Sequence, residues 1–268
     1  MDLGEYKLFD DYRHFFSEAN KHNCEVIFNI ETRIPEFSTN YDQDIWRLNR
    51  PAPLKELVDT YLCTDGKTIE ESPLYNPAQP YENRDPRLLK SIVCIGYPYL
   101  GMTITKENVA TTGFGVKKYT SYEDDVTIPL VERSAFNFIL IRYAEVLLTY
   151  AEAQNEANGP DQSVYDAINQ LRKRPDINMP EVPKGLTKDQ MRNVVRRERR
   201  IELTFEGLYY SDILRWKTAE KENNGMMHNN EGIAVVERSF NPKRDYLWPI
   251  PYNQIVLNPN LEQNPNWD

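Results

Sequence analysis

Long apolar runs and an excess of positive charge are both missing from this chain of 268 residues. The longest apolar stretch, residues 136–150, is interrupted by polar side chains, so it predicts a buried helix and not a membrane span. With 41 acidic and 32 basic residues, the net charge is −9. Broad nucleic-acid binding needs a basic surface, so the composition gives no support for a nucleic-acid partner.

Cysteine is scarce as well. Cys24, Cys63 and Cys94 are too few for a disulfide framework, and they lack the close pairing of a zinc site. Cys24 and Cys94 have apolar and β-branched neighbours, which predicts buried free thiols. The acidic, polar opening residues do not resemble a signal peptide, and we expect them to enter the middle of a larger domain.

Motifs of nucleophilic catalysis are missing too: there is no Gly-x-Ser-x-Gly elbow and no phosphate-binding glycine loop. Glu198, Glu202 and Glu206 recur every four residues, which predicts three carboxylates on one helix face. A metal site or an acid–base pair is one interpretation. Histidines are absent from this region and arginines are plentiful, so we favour structural ion pairs. The candidate partners are Arg142, Arg172, Arg199, Arg200 and Arg215.

The composition and the predicted secondary structure of the chain change near residue 135. Residues 1–135 are irregular and rich in Pro, Asn and Asp, and we interpret them as a loop-rich part that faces a ligand. Patterns there predict helices over residues 3–20 and 53–61, strands over residues 24–30 and 91–97, and a turn at Gly113-Phe114-Gly115 that leads into a short strand.

Residues 136–268 are predicted to be mainly helical. One helix should cover residues 136–158 and stop at Gly159-Pro160, and a second should begin after Asp161 and end before Pro175. Together they have the size of a tetratricopeptide-type helix pair. A lone pair cannot bury its own apolar face, so we expect that face to be exposed or covered from outside. Thr187 and Gln190 predict a capping box for a further helix.

Three motifs in this second part resemble the SusD/RagB family of outer-membrane nutrient-binding lipoproteins. They are Arg142-Tyr143-Ala144-Glu145-Val146-Leu147-Leu148 with Tyr150-Ala151-Glu152-Ala153, then Arg197-Glu198-Arg199-Arg200-Ile201-Glu202-Leu203 with Asp212-x-x-Arg215-Trp216, and finally Leu247-Trp248-Pro249-Ile250-Pro251 with the ending Gln263-Asn264-Pro265-x-Trp267. The resemblance implies a mostly α-helical SusD-like fold with a few short strands, and it covers only the carboxy-terminal half of a family-length protein.

The resemblance further implies a non-catalytic protein that binds oligosaccharides or polysaccharides at the cell surface. Its implied partners are a SusC-like TonB-dependent transporter and the missing amino-terminal half, which would carry the lipid anchor in the outer membrane. No cofactor is expected, and the sequence leaves open a calcium ion in an Asp- or Asn-rich loop. Two other functions stay open: a helical-repeat scaffold that binds protein, and a carbohydrate-active enzyme.

Physical chemistry, not a family motif, selects the candidate binding residues. Sugars are held by aromatic rings and by Asn, Asp and Arg side chains, and the chain has 17 Tyr, 10 Phe and 4 Trp. The predicted carbohydrate-binding residues are Asn40, Tyr41, Asp44, Trp46 and Arg47, with Tyr75 and Tyr81 as further candidates. The alternative for Trp46 is that it anchors its loop to the core. Trp216, Trp248 and Trp267 are expected to pack internally.

Overall fold

A computed structural model describes residues 4–46, 51–128 and 132–267. Its helices are α1 (Tyr41–Trp46), α2 (Lys55–Thr60), α3 (Arg87–Ser91), α4 (Tyr143–Asn158), α5 (Gln162–Arg172), α6 (Lys188–Glu202), α7 (Tyr209–Arg215), α8 (Ala219–Glu222) and α9 (Tyr252–Leu257). None of the helices in the described ranges is long and apolar enough to cross a membrane.

The strands form two-stranded antiparallel ribbons. They are β1 (Val26–Ile30) with β6 (Phe138–Arg142), β2 (Ile92–Cys94) with β5 (Phe114–Val116), β3 (Pro98–Tyr99) with β4 (Met102–Thr103), and β7 (Gly225–His228) with β8 (Ala234–Arg238). The mostly helical fold class with a few short strands is therefore confirmed.

Helices α4, α5 and α6 form the main apolar core. Leu147 and Leu148 of α4, Ile168 and Leu171 of α5 and Val195 of α6 belong to one buried cluster. Local signals set the helix ends: the side chain of Asp161 accepts hydrogen bonds from the first turn of α5, and Thr187 and Gln190 form the predicted capping box.

The expectation of an exposed helix face is wrong. Helix α6 packs along α4 and also contacts α5, so the pair is covered from within the chain. The large exposed apolar side chains lie elsewhere, notably on the β1–β6 ribbon and in the tail.

The predicted helix over residues 136–158 is correct only from Tyr143 onward. The first part is strand β6, which pairs with β1 through Phe138–Ile30, Ile139–Asn29 and Arg142–Val26. Residues 138–141 are aromatic, β-branched or leucine, and such side chains suit a half-buried strand once a partner strand is present. That partner lies more than 100 residues earlier.

The predicted helix over residues 3–20 is also wrong in its described part. Only two short 3₁₀ turns occur, His14–Phe16 and Glu18–Asn20. The Asp11 carboxylate accepts hydrogen bonds from the backbone N–H groups of Arg13 and His14, which replaces helical bonding in this region. Phe15 and Phe16 instead enter a cluster with Phe136 and Ile139, so residues from both sides of position 135 share one core.

Smaller differences concern the other predicted elements. Helix α2 and strands β1 and β2 confirm predictions, with shorter bounds. Gly113 forms the predicted turn, but the strand after it begins at Phe114, at the motif itself. The tail contains α9, which the sequence pattern does not indicate.

The tryptophan predictions have mixed outcomes. Trp248 is 70% exposed, so the expectation that it packs internally is wrong. Trp216 and Trp267 are half-buried. The indole of Trp267 donates to the backbone carbonyl of Leu247, so the end of the tail is fixed to its own start.

Candidate functional site

A buried ionic network surrounds the glutamates of the predicted ladder. Glu202 accepts from Arg142 at 2.8 Å, from Arg87 at 2.9 Å and from Arg174 at 3.0 Å. Glu198 pairs with Arg172 at 2.9 Å. Every one of these side chains is almost fully buried. The prediction of structural ion pairs is confirmed, but Arg87 and Arg174 were not among the predicted partners. Three of the predicted partners pair with other carboxylates: Arg199 with Asp212, Arg200 with Glu222 and Arg215 with Glu152.

Glu206 does not lie on the predicted helix face, because α6 ends at Glu202. Phe205 adopts a φ of 64°, and the chain turns so that the Glu206 carboxylate still reaches Arg142 at 2.7 Å. Lys118 completes the network with a 2.6 Å contact to Glu206. Burial lowers the pKa of Lys118 to about 8, which leaves its ammonium group charged at neutral pH.

The network holds its carboxylates ionised. Burial favours the neutral acid of Glu202, but the charges of Arg142, Arg174 and Arg87 outweigh it and keep the pKa of Glu202 far below its usual value. The pKa of Glu198 and that of Glu206 are lowered for the same reason. A general acid at neutral pH needs a raised pKa, so these groups do not suit acid catalysis.

The predicted binding segment around Trp46 forms helix α1. Asn40 is exposed immediately before it, and Asp44 and Tyr41 are half-buried. Burial raises the pKa of Tyr41 to about 12, and its ring contacts Tyr119 edge-on. Trp46 is half-buried with its ring centre 5.1 Å from that of Tyr99, which is the anchoring position considered for it.

The remaining predicted residues are Tyr75 and Tyr81, which lie apart from α1, and Arg47. Tyr81 is buried against Tyr97 and Phe114, and Tyr75 is half-buried with the guanidinium of Arg84 over its ring. Arg47 lies outside the described residues.

The β2–β5 ribbon separates Trp46 from Tyr81. Val93 of β2 packs in the cluster that Trp46 contacts, whereas its neighbours Ile92 and Cys94 pack with Tyr81. Successive side chains of a strand point to opposite faces. Trp46 and Tyr81 therefore lie on opposite faces of the ribbon and do not contribute to one shared surface.

A cleft that no sequence-based prediction indicated lies between α2, α6, α7 and α8, and we call it the α6 cleft. It consists of two adjoining cavities of about 230 and 560 Å³ that share Glu56, Arg200, Tyr209 and Glu222. The larger cavity also contains Arg196, Arg197, Trp216, Thr218 and Glu70. The smaller one is more apolar, with Leu54, Leu57, Phe205 and Met227.

Contacts inside the α6 cleft order its polar groups. Arg200 lies over the ring of Tyr209 at 4.4 Å, and the Tyr209 hydroxyl donates to Glu222 at 3.1 Å. Glu56 contacts Nδ1 of His228 at 2.7 Å. The sequence did contain one usable signal. Arg196 and Arg197 follow Arg192 and Asn193 on the polar side of α6, but only the packing of α2 and α8 turns that side into a cavity.

No group of three or more His, Cys, Asp or Glu side chains in the described ranges could hold a metal ion. The described cysteines are free thiols, and Cys63 and Cys94 are buried, as predicted for Cys94. The prediction that Cys24 is buried is wrong, because Cys24 is only half-buried.

Comparison with known proteins identifies the family of this architecture. The model of the SusD family matches residues 6–267. The chain belongs to the SusD family. Its fold is similar to a SusD-like carbohydrate binding protein from Bacteroides fragilis, with a TM-score of 0.86 and 29% identity over 98% of this chain and 59% of that one. A second SusD-like protein from the same organism gives a TM-score of 0.80 at 27% identity, with the same coverage.

Curated SusD-like relatives match about half of this chain. SusD-like protein P2 from Formosa agariphila is 35% identical over 136 residues, which is 49% of this chain and 26% of the relative. SusD-like protein P38 from the same organism is 30% identical over 135 residues, or 48% of this chain and 24% of the relative. The matched region thus spans about a quarter of these relatives, and the whole chain spans about three fifths of the similar solved structures.

Proposed function

We propose that this chain is the carbohydrate-binding part of a non-catalytic surface protein that captures oligosaccharides or polysaccharides for uptake. The observation that carries the proposal is the fold match over 98% of the chain, at 29% identity, to a SusD-like carbohydrate binding protein. Polar and aromatic groups suited to sugars lie on α1, and polar groups line the α6 cleft.

Two observations favour binding over the other functions that the sequence left open. The glutamates that most resembled a catalytic set are ionised and engaged by arginines, which disfavours an enzyme. The helix pair that suggested a protein-binding scaffold packs its apolar side against α6 within the same chain.

The partners and the location belong to the same proposal. We infer a SusC-like TonB-dependent transporter as partner, at the outer membrane, with a lipid anchor in the additional chain that family-length relatives have. That additional chain is also a proposed packing partner. The proposed glycan contacts are Asn40, Tyr41, Asp44, Trp46 and Arg47, with Tyr75 and Tyr81 as secondary candidates.

A glycan-array screen followed by calorimetric titration tests the proposal. We expect a saturable glycan ligand whose affinity falls at least about tenfold in Trp46→Ala, because a few residues, often Trp, Tyr or Arg, carry most of the binding free energy of an interface. Trp46 contacts Tyr99, so its removal also perturbs packing. Asn40→Ala is therefore measured in parallel, because Asn40 is exposed and its loss should weaken binding without lowering stability.

Trp267→Ala is the matched control, and its affinity should stay unchanged. The absence of any glycan ligand for well-folded protein contradicts the proposed function. Turnover of a bound oligosaccharide contradicts its non-catalytic part.

A further inference from the structure

Most carboxylates of the α6 cleft already have partners. Glu56 contacts His228, Asp59 pairs with Lys55 at 2.6 Å, and Glu222 lies 3.6 Å from Arg200. Each of these carboxylates thus has a polar partner within the protein.

Two half-buried guanidinium groups of the cleft have no such partner among the residues that the structure describes. Arg196 and Arg197 are half-buried, and within the described residues neither forms an ion pair or a side-chain hydrogen bond. The Nε atoms of Arg196 and Arg200 and the hydroxyl of Thr218 are shielded from solvent without a hydrogen-bond partner. The guanidinium groups of Arg196 and Arg197 therefore line the cavity without an ion-pair or hydrogen-bond partner in the described part of the chain, although buried polar groups ordinarily find partners.

Burial also disfavours the charged form of these two arginines. It lowers the pKa of Arg196 and that of Arg197, because the guanidinium groups lose hydration and nearby carboxylates only partly offset the loss. Arginine nevertheless stays charged at neutral pH. An anion in the cavity would supply the missing interaction, and charge-assisted bonds from arginine to planar or tetrahedral oxyanions are strong and often bidentate.

The aromatic rings of the cleft present little free face for stacking. The guanidinium carbons of Arg196 and Arg215 lie 4.8 and 4.9 Å from the centre of the Trp216 ring, and Arg200 covers Tyr209. The cavity therefore presents cations where a neutral-sugar site would present open rings. The net charge of −9 does not prevent an anion from binding in this cavity, because charges more than about 8 Å away are largely screened at physiological salt.

We propose that the α6 cleft is a second saccharide site, which binds the anionic substituent of an acidic glycan through Arg196 and Arg197. The substituent is a carboxylate or a sulfate ester, since both present the same oxyanion chemistry. This inference rests on the proposed glycan-binding function, but it uses none of the residues of α1.

The test combines a glycan array with matched ligand pairs. The array holds neutral, uronate-containing and sulfated oligosaccharides. Each hit is then titrated calorimetrically beside its carboxyl-reduced or desulfated counterpart. We expect acidic hits that lose at least about tenfold in affinity when the anionic group is removed, because hydrogen bonds to charged groups are strong. The type of counterpart that loses affinity distinguishes a carboxylate from a sulfate.

Charge removal in the cleft provides the second comparison. Arg196→Gln combined with Arg197→Gln should bind an acidic hit and its neutral counterpart equally weakly. The variant should fold, because neither side chain forms an ion pair. Arg192→Gln is the matched control: Arg192 lies on the same helix, but it pairs with Glu156 at 2.6 Å, and its replacement should leave the preference intact.

The outcomes separate the two proposals. Equal affinity for acidic and neutral counterparts, or an unchanged preference in the double variant, overturns the acidic site and leaves the proposed function standing. Loss of the preference in Arg192→Gln as well shows a general charge effect and also overturns the site. An array without any hit overturns the proposed function and this inference with it.

Discussion

Glu202 shows at the residue scale how a carboxylate can be central to a fold and still be unsuited to chemistry. Three guanidinium groups contact it, and all four side chains are buried. A buried charge is tolerated only when it is paired, and removal of one member leaves the others uncompensated. The arginines and glutamates of this network therefore act as one unit that joins α6 to α3, β6 and the segment after α5.

Glu202→Gln should lower the free energy of unfolding by about 3–5 kcal/mol, because Arg87, Arg142 and Arg174 would lose a buried counter-charge. Glu231→Gln is the control. Glu231 pairs with Lys106 at a similar 2.8 Å, but both groups are exposed, so its loss should cost about 1 kcal/mol or less. Urea unfolding followed by circular dichroism measures both, and equal effects would contradict the buried-network interpretation.

The lowered pKa values of Glu198, Glu202 and Glu206 predict sensitivity to acid. A carboxylate whose pKa is depressed in the folded state stabilises the fold fully above its unfolded pKa of about 4.3, and it loses that contribution as pH falls towards the folded pKa. Urea unfolding between pH 7 and pH 3 should show stability falling below about pH 4.5. The fall should be smaller in Glu202→Gln, and an identical pH dependence in both proteins would refute the assignment.

At the scale of elements, the β7–β8 ribbon is positioned by a close contact between the backbone of Gly113 and the side chain of Asn230. Gly113 adopts a φ of 78°, and a Cβ built there would lie 1.9 Å from Oδ1 and 2.8 Å from Cβ of Asn230. Asn230 in turn donates its backbone N–H to the carbonyl of Thr112. Only glycine fits both the left-handed backbone and this contact.

Gly113→Ala should therefore displace the β7–β8 ribbon and destabilise the protein by about 2 kcal/mol or more, from backbone strain and overpacking together. Gly185→Ala isolates the backbone part, because Gly185 has a φ of 79° but nothing within 4 Å of its Cβ position. It should cost about 1 kcal/mol. Thermal and urea unfolding of both variants give the comparison, and equal losses would show that the contact with Asn230 carries no energy.

At the scale of the whole molecule, many of the exposed apolar side chains lie on the β1–β6 ribbon and in the tail. Phe28, Ile30, Phe138 and Leu140 of the β1–β6 ribbon are 57, 53, 47 and 38% exposed, and Trp248 and Leu257 of the tail are 70 and 77% exposed. Apolar patches of this kind promote association with other surfaces.

The chain should consequently bind a hydrophobic dye and self-associate at high concentration. Phe28→Lys with Ile30→Lys should reduce both effects and change the free energy of unfolding by less than about 1 kcal/mol, since the replaced side chains are mostly exposed. Val126→Lys, at another exposed position, is the control and should alter neither. Dye fluorescence and analytical ultracentrifugation provide the readouts, and a monomer without dye binding would contradict the prediction.

Local sequence by itself determined the helical core and the character of the ionic network. The caps at Asp161 and Thr187 and the apolar period of α5 and α6 are short-range signals, and they predicted those helices correctly. The four-residue spacing of Glu198 and Glu202 among arginines indicated ion pairs in the same way. The caps and the apolar period depend on neighbours within one or two helical turns, so the pattern alone carries them. The arginine partners of Glu198 and Glu202 lie 26 or more residues away in the chain, so only the tertiary structure decided which arginines they are.

Tertiary structure alone decided the features that depend on distant partners. Residues 138–142 are a strand because β1 pairs with them, and Asp11 with its aromatic neighbours replaces a helix that the pattern favoured. The β2–β5 ribbon separates Trp46 from Tyr81, and the α6 cleft exists only where α2 and α8 pack against α6. Strand pairing and cavities arise from contacts between residues far apart in the chain, and no local periodicity encodes them.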